Sequence, residues 1–162
     1  MPPITAILFV CLGNICRSPL AKGVLIHQAR SRGMLDQLRI DSGGTGHWHA
    51  GGPADPRTIL VAERNGVRFE HTARQIDAAA DFHTFDLILP MDNQNKRDLL
   101  RLGAPADRVR LFRSFDPALK DAPDHALTVP DPYSGDERAF QQVYDMLWTA
   151  STGLLDHLQS TR

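Results

Sequence analysis

The chain has 162 residues, 42% hydrophobic and 23% charged, with 18 Lys and Arg against 19 Asp and Glu. That length suffices for one good core, so a single domain over residues 1–162 is expected. A formal net charge of −1 sets up no field for nucleic acid or an anionic membrane, and no apolar run approaches the roughly 20 residues that span a bilayer. Met1-Pro2-Pro3-Ile4-Thr5 lacks the basic start of an export signal. Both cysteines, Cys11 and Cys16, lie in one short loop and make no disulfide scaffold, which points to a reducing cytoplasm.

Residues 4–10 are apolar with no polar alternation after Thr5, the pattern of a strand covered on both faces of a parallel sheet. Cys11 ends that run. Gly13 and Asn14 tolerate positive φ and let the chain curl. Ser18-Pro19 then reads as the N-cap and first residue of a helix, which reaches about Arg32 and stops at Gly33. Strand, tight loop and helix N-terminus form an anion cradle: the backbone N–H groups of Leu12, Gly13, Asn14, Ile15, Cys16 and Arg17 point inward, and the helix dipole adds positive charge. Arg17 supplies a planar fork for two phosphate oxygens. A thiol in such a place ionises below its ordinary pKa of about 8.5, so Cys11 reads as a nucleophile toward a phosphate ester, through a cysteinyl-phosphate. The plainer reading, a structural cysteine and a surface arginine, leaves the Gly-Asn curl and the Ser-Pro start without a purpose.

Further along, residues 38–42 read as a second strand that breaks at Gly43-Gly44. A Gly-rich loop carrying His47, Trp48 and His49 follows, as far as Pro53. Asp55-Pro56 opens a helix that stops at Asn65-Gly66. Residues 85–91 read as a third buried strand, its ladder ending at Pro90. Asp92 caps a helix to Leu102, closed by Gly103 and Pro105. Residues 109–112 read as a fourth strand, followed by a Pro-rich stretch to Tyr133. Ser134 and Glu137 have capping-box spacing, and the last helix carries an apolar stripe of Phe140, Val143, Tyr144, Leu147, Leu154, Leu155 and Leu158 that packs on the sheet. The expected fold is α/β: a doubly wound, Rossmann-like, four-stranded parallel sheet flanked by helices. Such sheets bind ligands beyond the carboxyl ends of their strands, where Cys11, Ser42, Asp92 and Ser114-Phe115 fall.

Asp131, in Val129-Pro130-Asp131-Pro132-Tyr133, is the candidate general acid, with flanking prolines to stiffen it and apolar neighbours expected to favour its protonated form. An Asp-Pro surface turn is the plainer account. Leu12, Trp48, His49 and Tyr133 are expected to wall a pocket wide enough for an aryl ring; otherwise Trp48 covers a hydrophobic edge. His47 and His49 have no third ligand nearby, so no metal is expected. The Ser18 hydroxyl is placed to donate to Cys11 sulfur. Cys16 is expected close enough to Cys11 for a reversible disulfide that shelters it from sulfinic acid.

Val10-Cys11-Leu12-Gly13-Asn14-Ile15-Cys16-Arg17-Ser18-Pro19 resembles the signature loop of the low-molecular-weight protein tyrosine phosphatases. The likeness continues through Asp41-Ser42-Gly43-Gly44-Thr45, His71-Thr72-Ala73-Arg74-Gln75-Ile76, Met91-Asp92 and Asp131-Pro132-Tyr133. It implies hydrolysis of phosphotyrosine without a cofactor, Asp131 as the acid, and Asn14, Ser42 and His71 as the polar network that holds the loop. Asp92 matches a supporting carboxylate, although its N-cap role alone would explain it. Two cysteines cannot serve the longer thiol relay of thioredoxin-coupled arsenate reductases. Phosphoarginine phosphatases carry a threonine where Ile15 stands, and the apolar residue favours an aryl ester. A flavodoxin-like binder has no use for Cys11, Arg17 and Asp131 together. Ser134 stands where animal members often carry a second tyrosine. The likeness is thus to the bacterial branch, whose substrates are often autophosphorylating tyrosine kinases. The implied partner is a phosphotyrosine protein, such a kinase among them, with neither nucleic acid nor membrane. Oligomeric state is not legible.

Overall fold

β1 (Thr5–Cys11) is buried at every residue after the first, because it is the middle strand of a parallel sheet and both its faces are covered. β2 (Leu38–Gly44) and β3 (Leu87–Pro90) flank it in the order β2-β1-β3. This computed structural model describes residues 4–161; Met1-Pro2-Pro3, read above as no export signal, lies outside them. Alternate side chains of β1 serve two cores. Ile7, Phe9 and Cys11 face α1 (Arg17–Ser31), α2 (Pro56–Arg64) and α5 (Glu137–Ser160), while Ala6, Leu8 and Val10 face α3 (Ala78–Thr84) and α4 (Asn93–Arg101). Helices on both faces are the doubly wound arrangement expected.

The fourth strand does not form. Val109 makes a single parallel bridge to Ile88, and Arg110 N–H donates to the Ile88 carbonyl at 3.1 Å. The chain then turns into a 3₁₀ segment, Phe112–Phe115. Phe112 and Phe115 both belong to the core over Phe9, where the Phe9 and Phe112 rings meet edge to face at 4.8 Å. Placing residues three apart on one side requires a three-residue turn, and strand alternation cannot provide it. The described sheet therefore has three strands.

Smaller differences have equally local causes. α1 starts at Arg17 with Cys16 as N-cap and no capping side chain, since the Ser18 hydroxyl is engaged elsewhere. α5 starts with Asp136 as cap, its carboxylate accepting from Ala139 N–H at 3.0 Å, two residues beyond the Ser134 expected to open it. α3, unforeseen, follows from Asp77 capping a run of three alanines. No helix among the described residues is long and apolar enough to cross a membrane.

Candidate active site

The register of the sheet brings Cys11 opposite Gly44 and Val10 opposite Pro90, so the three strands end together around Cys11. Glycine is required at position 44, where a Cβ would lie 2.7 Å from the Leu12 carbonyl oxygen. Gly46 N–H donates to that same oxygen at 2.9 Å, and Thr45 N–H donates to the Cys11 carbonyl at 3.0 Å. The loop after Cys11 is thereby tied to the loop after β2.

Asn14 sets the loop's shape. It is fully buried and left-handed at φ 56°, a conformation that costs an L residue about 1–2 kcal/mol. Four hydrogen bonds offset this. Its Nδ2 donates to Ser18 Oγ at 2.8 Å and to Ser42 Oγ at 3.0 Å; its Oδ1 accepts from Arg74 N–H at 2.9 Å; its carbonyl accepts from His71 Nε2 at 2.7 Å. Because Ser18 Oγ accepts from Asn14, its own proton is free for Cys11 Sγ, 2.9 Å away. Ser42 and His71 thus both hydrogen-bond to Asn14 of this loop.

Arg17 is 3% exposed. Its Nη1 donates to Asp92 Oδ2 at 2.7 Å and to the Val129 carbonyl at 2.9 Å, and Nη2 lies 3.8 Å from Asp131 Oδ2. Burial works against its charge, but Cys11, Asp92 and Asp131 outweigh it and raise the pKa. Asp92 is engaged at both oxygens: Oδ2 accepts from Arg17, while Oδ1 accepts from Asn95 N–H at 2.7 Å as the cap of α4. The first turn of α1 carries no acidic residue, so its uncapped N–H groups and dipole remain available to an anion.

A cavity of about 210 Å³ opens here, lined by Cys11, Leu12, Gly13, Ile15, Cys16, Arg17, Trp48, His49, Asp131 and Tyr133. Asn14, read as a cradle residue, does not line it. Trp48 is 66% exposed and lines the cavity. Asp131 departs from expectation: its side chain is half exposed and faces Arg17, where an apolar enclosure was anticipated. What holds it is its own loop, with Oδ1 accepting from Tyr133 N–H at 3.0 Å and Val129 N–H donating to the Met91 carbonyl at 2.8 Å. Burial, with charge on Asp55 and Cys11 adding, pushes the Cys16 thiol up to about 12, which keeps it neutral beside Cys11. Among the described residues no three His, Cys, Asp or Glu side chains gather as metal ligands.

Two arginines escaped the sequence reading. Arg57 is held by Asp55 at 2.9 Å, lies over the Tyr133 ring at 5.4 Å and the Phe140 ring at 4.6 Å, and reaches the Gly135 carbonyl at 3.4 Å. Asp55 N–H in turn donates to the Ile15 carbonyl at 2.9 Å, so this pair ties the phosphate-loop side of the cavity to the Asp131 side. Arg74 joins Asn14 to Asp81 and Asp41. Only the Asp55-Pro56-Arg57 charge pair left a local trace, and it read as helix capping.

Residues 6–162 match the family described as low molecular weight phosphotyrosine protein phosphatase. The chain belongs to that family. Low molecular weight protein-tyrosine phosphatase A of Mycobacterium tuberculosis is 43% identical over 148 residues, 91% of this chain and 88% of that one. A low molecular weight protein-tyrosine-phosphatase of Streptomyces coelicolor is 44% identical over 151 residues, covering 91% and 89%. The crystal structure of a protein tyrosine phosphatase from Entamoeba histolytica, with Hepes in its active site, superposes with a TM-score of 0.88 at 34% identity, over 97% of this chain and 98% of that one. The present phosphatase is thus a hydrolase of phosphotyrosine in protein substrates.

One consequence concerns stability. In the phosphatase, His71 Nε2–H donates to Asn14, while Nδ1 is buried with no partner among the described residues. Burial lowers the His71 pKa; the Asn14 carbonyl and Asp41 pull it back, and Lys22 pushes it further down. Between that lowered value and about 6.5 the unfolded chain holds a proton that the native chain does not, so this contribution is complete above about 6.5 and is lost as pH falls. Melting temperature should therefore drop from pH 7 toward 5, and the drop should be shallower in His71→Gln, which keeps a donor but does not titrate. Parallel profiles for the two proteins would refute this.

Proposed function

We propose that Cys11 is the nucleophile, Arg17 the phosphate clamp and Asp131 the proton donor and acceptor. The observation that carries this is the Cys11 Sγ to Ser18 Oγ contact of 2.9 Å at the base of the cavity, below a guanidinium fixed by Asp92 and Val129. The amides of Leu12 to Arg17 and the fork of Arg17 hold the phosphate oxygens. Cys11 sulfur forms a bond to phosphorus as the bond to the phenolic oxygen breaks, and Asp131 gives its proton to that oxygen. Water then attacks phosphorus and yields a proton to Asp131, and the S–P bond breaks. The Ser18 hydroxyl donates to the departing sulfur and makes it a better leaving group. Leu12, Trp48, His49 and Tyr133 wall the aryl ring; Ser42, His71 and Asp92 support the loop and clamp from behind. A cytoplasmic setting, with a tyrosine kinase of bacterial type among the substrates, fits this chemistry.

Wild-type protein should hydrolyse p-nitrophenyl phosphate and phosphotyrosine while leaving phosphoserine and phosphoarginine nearly untouched. Equal rates on phosphoarginine would overturn the aryl preference assigned to Ile15. A second expectation concerns oxidation. Cys11 and Cys16 are both free thiols lining one cavity, and peroxide should join them in a disulfide instead of carrying Cys11 on to the sulfinic acid. Mild peroxide should then remove two titratable thiols, and dithiothreitol should restore activity. Under the same treatment Cys16→Ser should lose activity for good; full recovery of that variant would count against the pair.

A further inference from the structure

Beside the catalytic cleft lies a second groove, of about 250 Å³, lined among others by Leu12, Gly46, Trp48, Asp98, Arg101 and Leu102. Leu12 and Trp48 line both cavities, so the two share a wall, and the reaction uses only one side of it. On the other side the apolar surface continues to Leu102, which is 49% exposed just beyond α4. Contiguous exposed apolar surface of this kind marks a contact site.

The shared wall is held in place. A Cβ on Gly46 would come within 1.9 Å of the Trp48 ring, so the ring occupies space that only glycine leaves open. His47 stacks with the same ring at 5.7 Å between centroids, 18° from parallel. The groove's charges are paired with each other: Asp98 lies 3.5 Å from Arg101 and also accepts from Gln94 at 2.9 Å. A neutral groove with a Leu-Trp-Leu lining suits an uncharged side chain.

The occupant follows from continuity with the cleft. When a phosphotyrosine side chain fills the cleft, its backbone stays at the rim, and each further residue of an extended chain advances about 3.3 Å. A neighbouring side chain is thereby carried to the far face of Leu12 and Trp48. We propose that this groove receives an aliphatic or aromatic side chain of the substrate polypeptide, one or two residues from the phosphotyrosine. The proposal rests on the cleft being the phosphotyrosine site.

The test uses phosphotyrosine peptides that differ only in carrying leucine or glycine on either side of the phosphotyrosine, with p-nitrophenyl phosphate as a substrate that has no flanks. Wild type should favour the leucine peptide by about tenfold in kcat/KM, most of it in KM. Leu102→Glu should erase that preference and leave p-nitrophenyl phosphate hydrolysis unchanged, and Leu102→Ala should weaken it in the same direction. Equal treatment of the two peptides by wild type, or a preference that survives Leu102→Glu, overturns the subsite. So does sedimentation showing that Leu102→Glu abolishes a dimer without touching peptide preference, which would give the groove to a second copy. Failure of wild type on p-nitrophenyl phosphate would instead sink the catalytic reading, and the subsite with it.

Discussion

Cys11→Ser should abolish hydrolysis while phosphate binding survives. The expected fall in kcat is about five orders of magnitude, near the scale seen when a hydrolase loses its nucleophile. A serine hydroxyl differs little in size, and Ser18 at 2.9 Å can still donate to it. What is lost is the sulfur: a thiol group is intrinsically a far stronger nucleophile than an alcohol, which needs a general base to take its proton. The amides of the loop and Arg17, anchored by Asp92 and Val129, are untouched, so calorimetry should find inorganic phosphate binding within a few-fold of wild type. Acid quenching during turnover should trap one phosphoryl group on the wild-type chain and none on the variant. Turnover within tenfold of wild type, or a phosphoryl group trapped on any residue but Cys11, would end the assignment.

The parts of this site that could be read from the sequence are those built from neighbours. From Cys11 to Ser18 the strand end, the curl at Gly13-Asn14, the guanidinium and the nearby helix start follow one another in the chain, and each residue type narrows its own conformation. Ser18 shows how local reading also misleads. As an N-cap type it belonged at the start of α1, yet Asn14 donates to its oxygen and its O–H donates to Cys11 Sγ, so the hydroxyl serves the sulfur and the helix goes without a side-chain cap. Asp92 was under-read in the opposite sense, since a cap and a clamp partner can be one carboxylate with two oxygens.

Long-range partners left no trace. Arg17 meets the Val129 carbonyl 112 residues away, Arg74 N–H meets Asn14 60 residues away, and Arg57 reaches Gly135 across 78. No periodicity encodes such pairs. The fourth strand failed for a related reason: residues 109–112 have strand composition, but the demand that Phe112 and Phe115 share one core is tertiary, and it overrides β-propensity.

Asp131→Asn is expected to lower kcat by about 10²–10⁴-fold, the usual worth of a positioned proton donor, and to leave KM nearly unchanged. Three carboxylates lie around the site, and two are committed. Asp92 is bound to Arg17 and caps α4. Asp55 is bound to Arg57, whose hydrogen bonds hold its carboxyl below the usual range. Asp131 lines the cavity itself, half exposed, with Oδ1 accepting from Tyr133 N–H and Oδ2 3.8 Å from Arg17, and is the carboxylate we propose for the proton transfer. An asparagine amide keeps the shape and can still accept from Tyr133 N–H through Oδ1, so the loop should stay in place, but it has no carboxyl proton to donate. Arg17 retains its bonds at 2.7 and 2.9 Å, which is why substrate binding should survive. The loss in kcat/KM should be steeper for phosphotyrosine than for p-nitrophenyl phosphate, because nitrophenolate departs without a proton far more readily than the tyrosine phenolate. An equal loss on both substrates would mean that Asp131 shapes the pocket and that the leaving oxygen draws its proton from water.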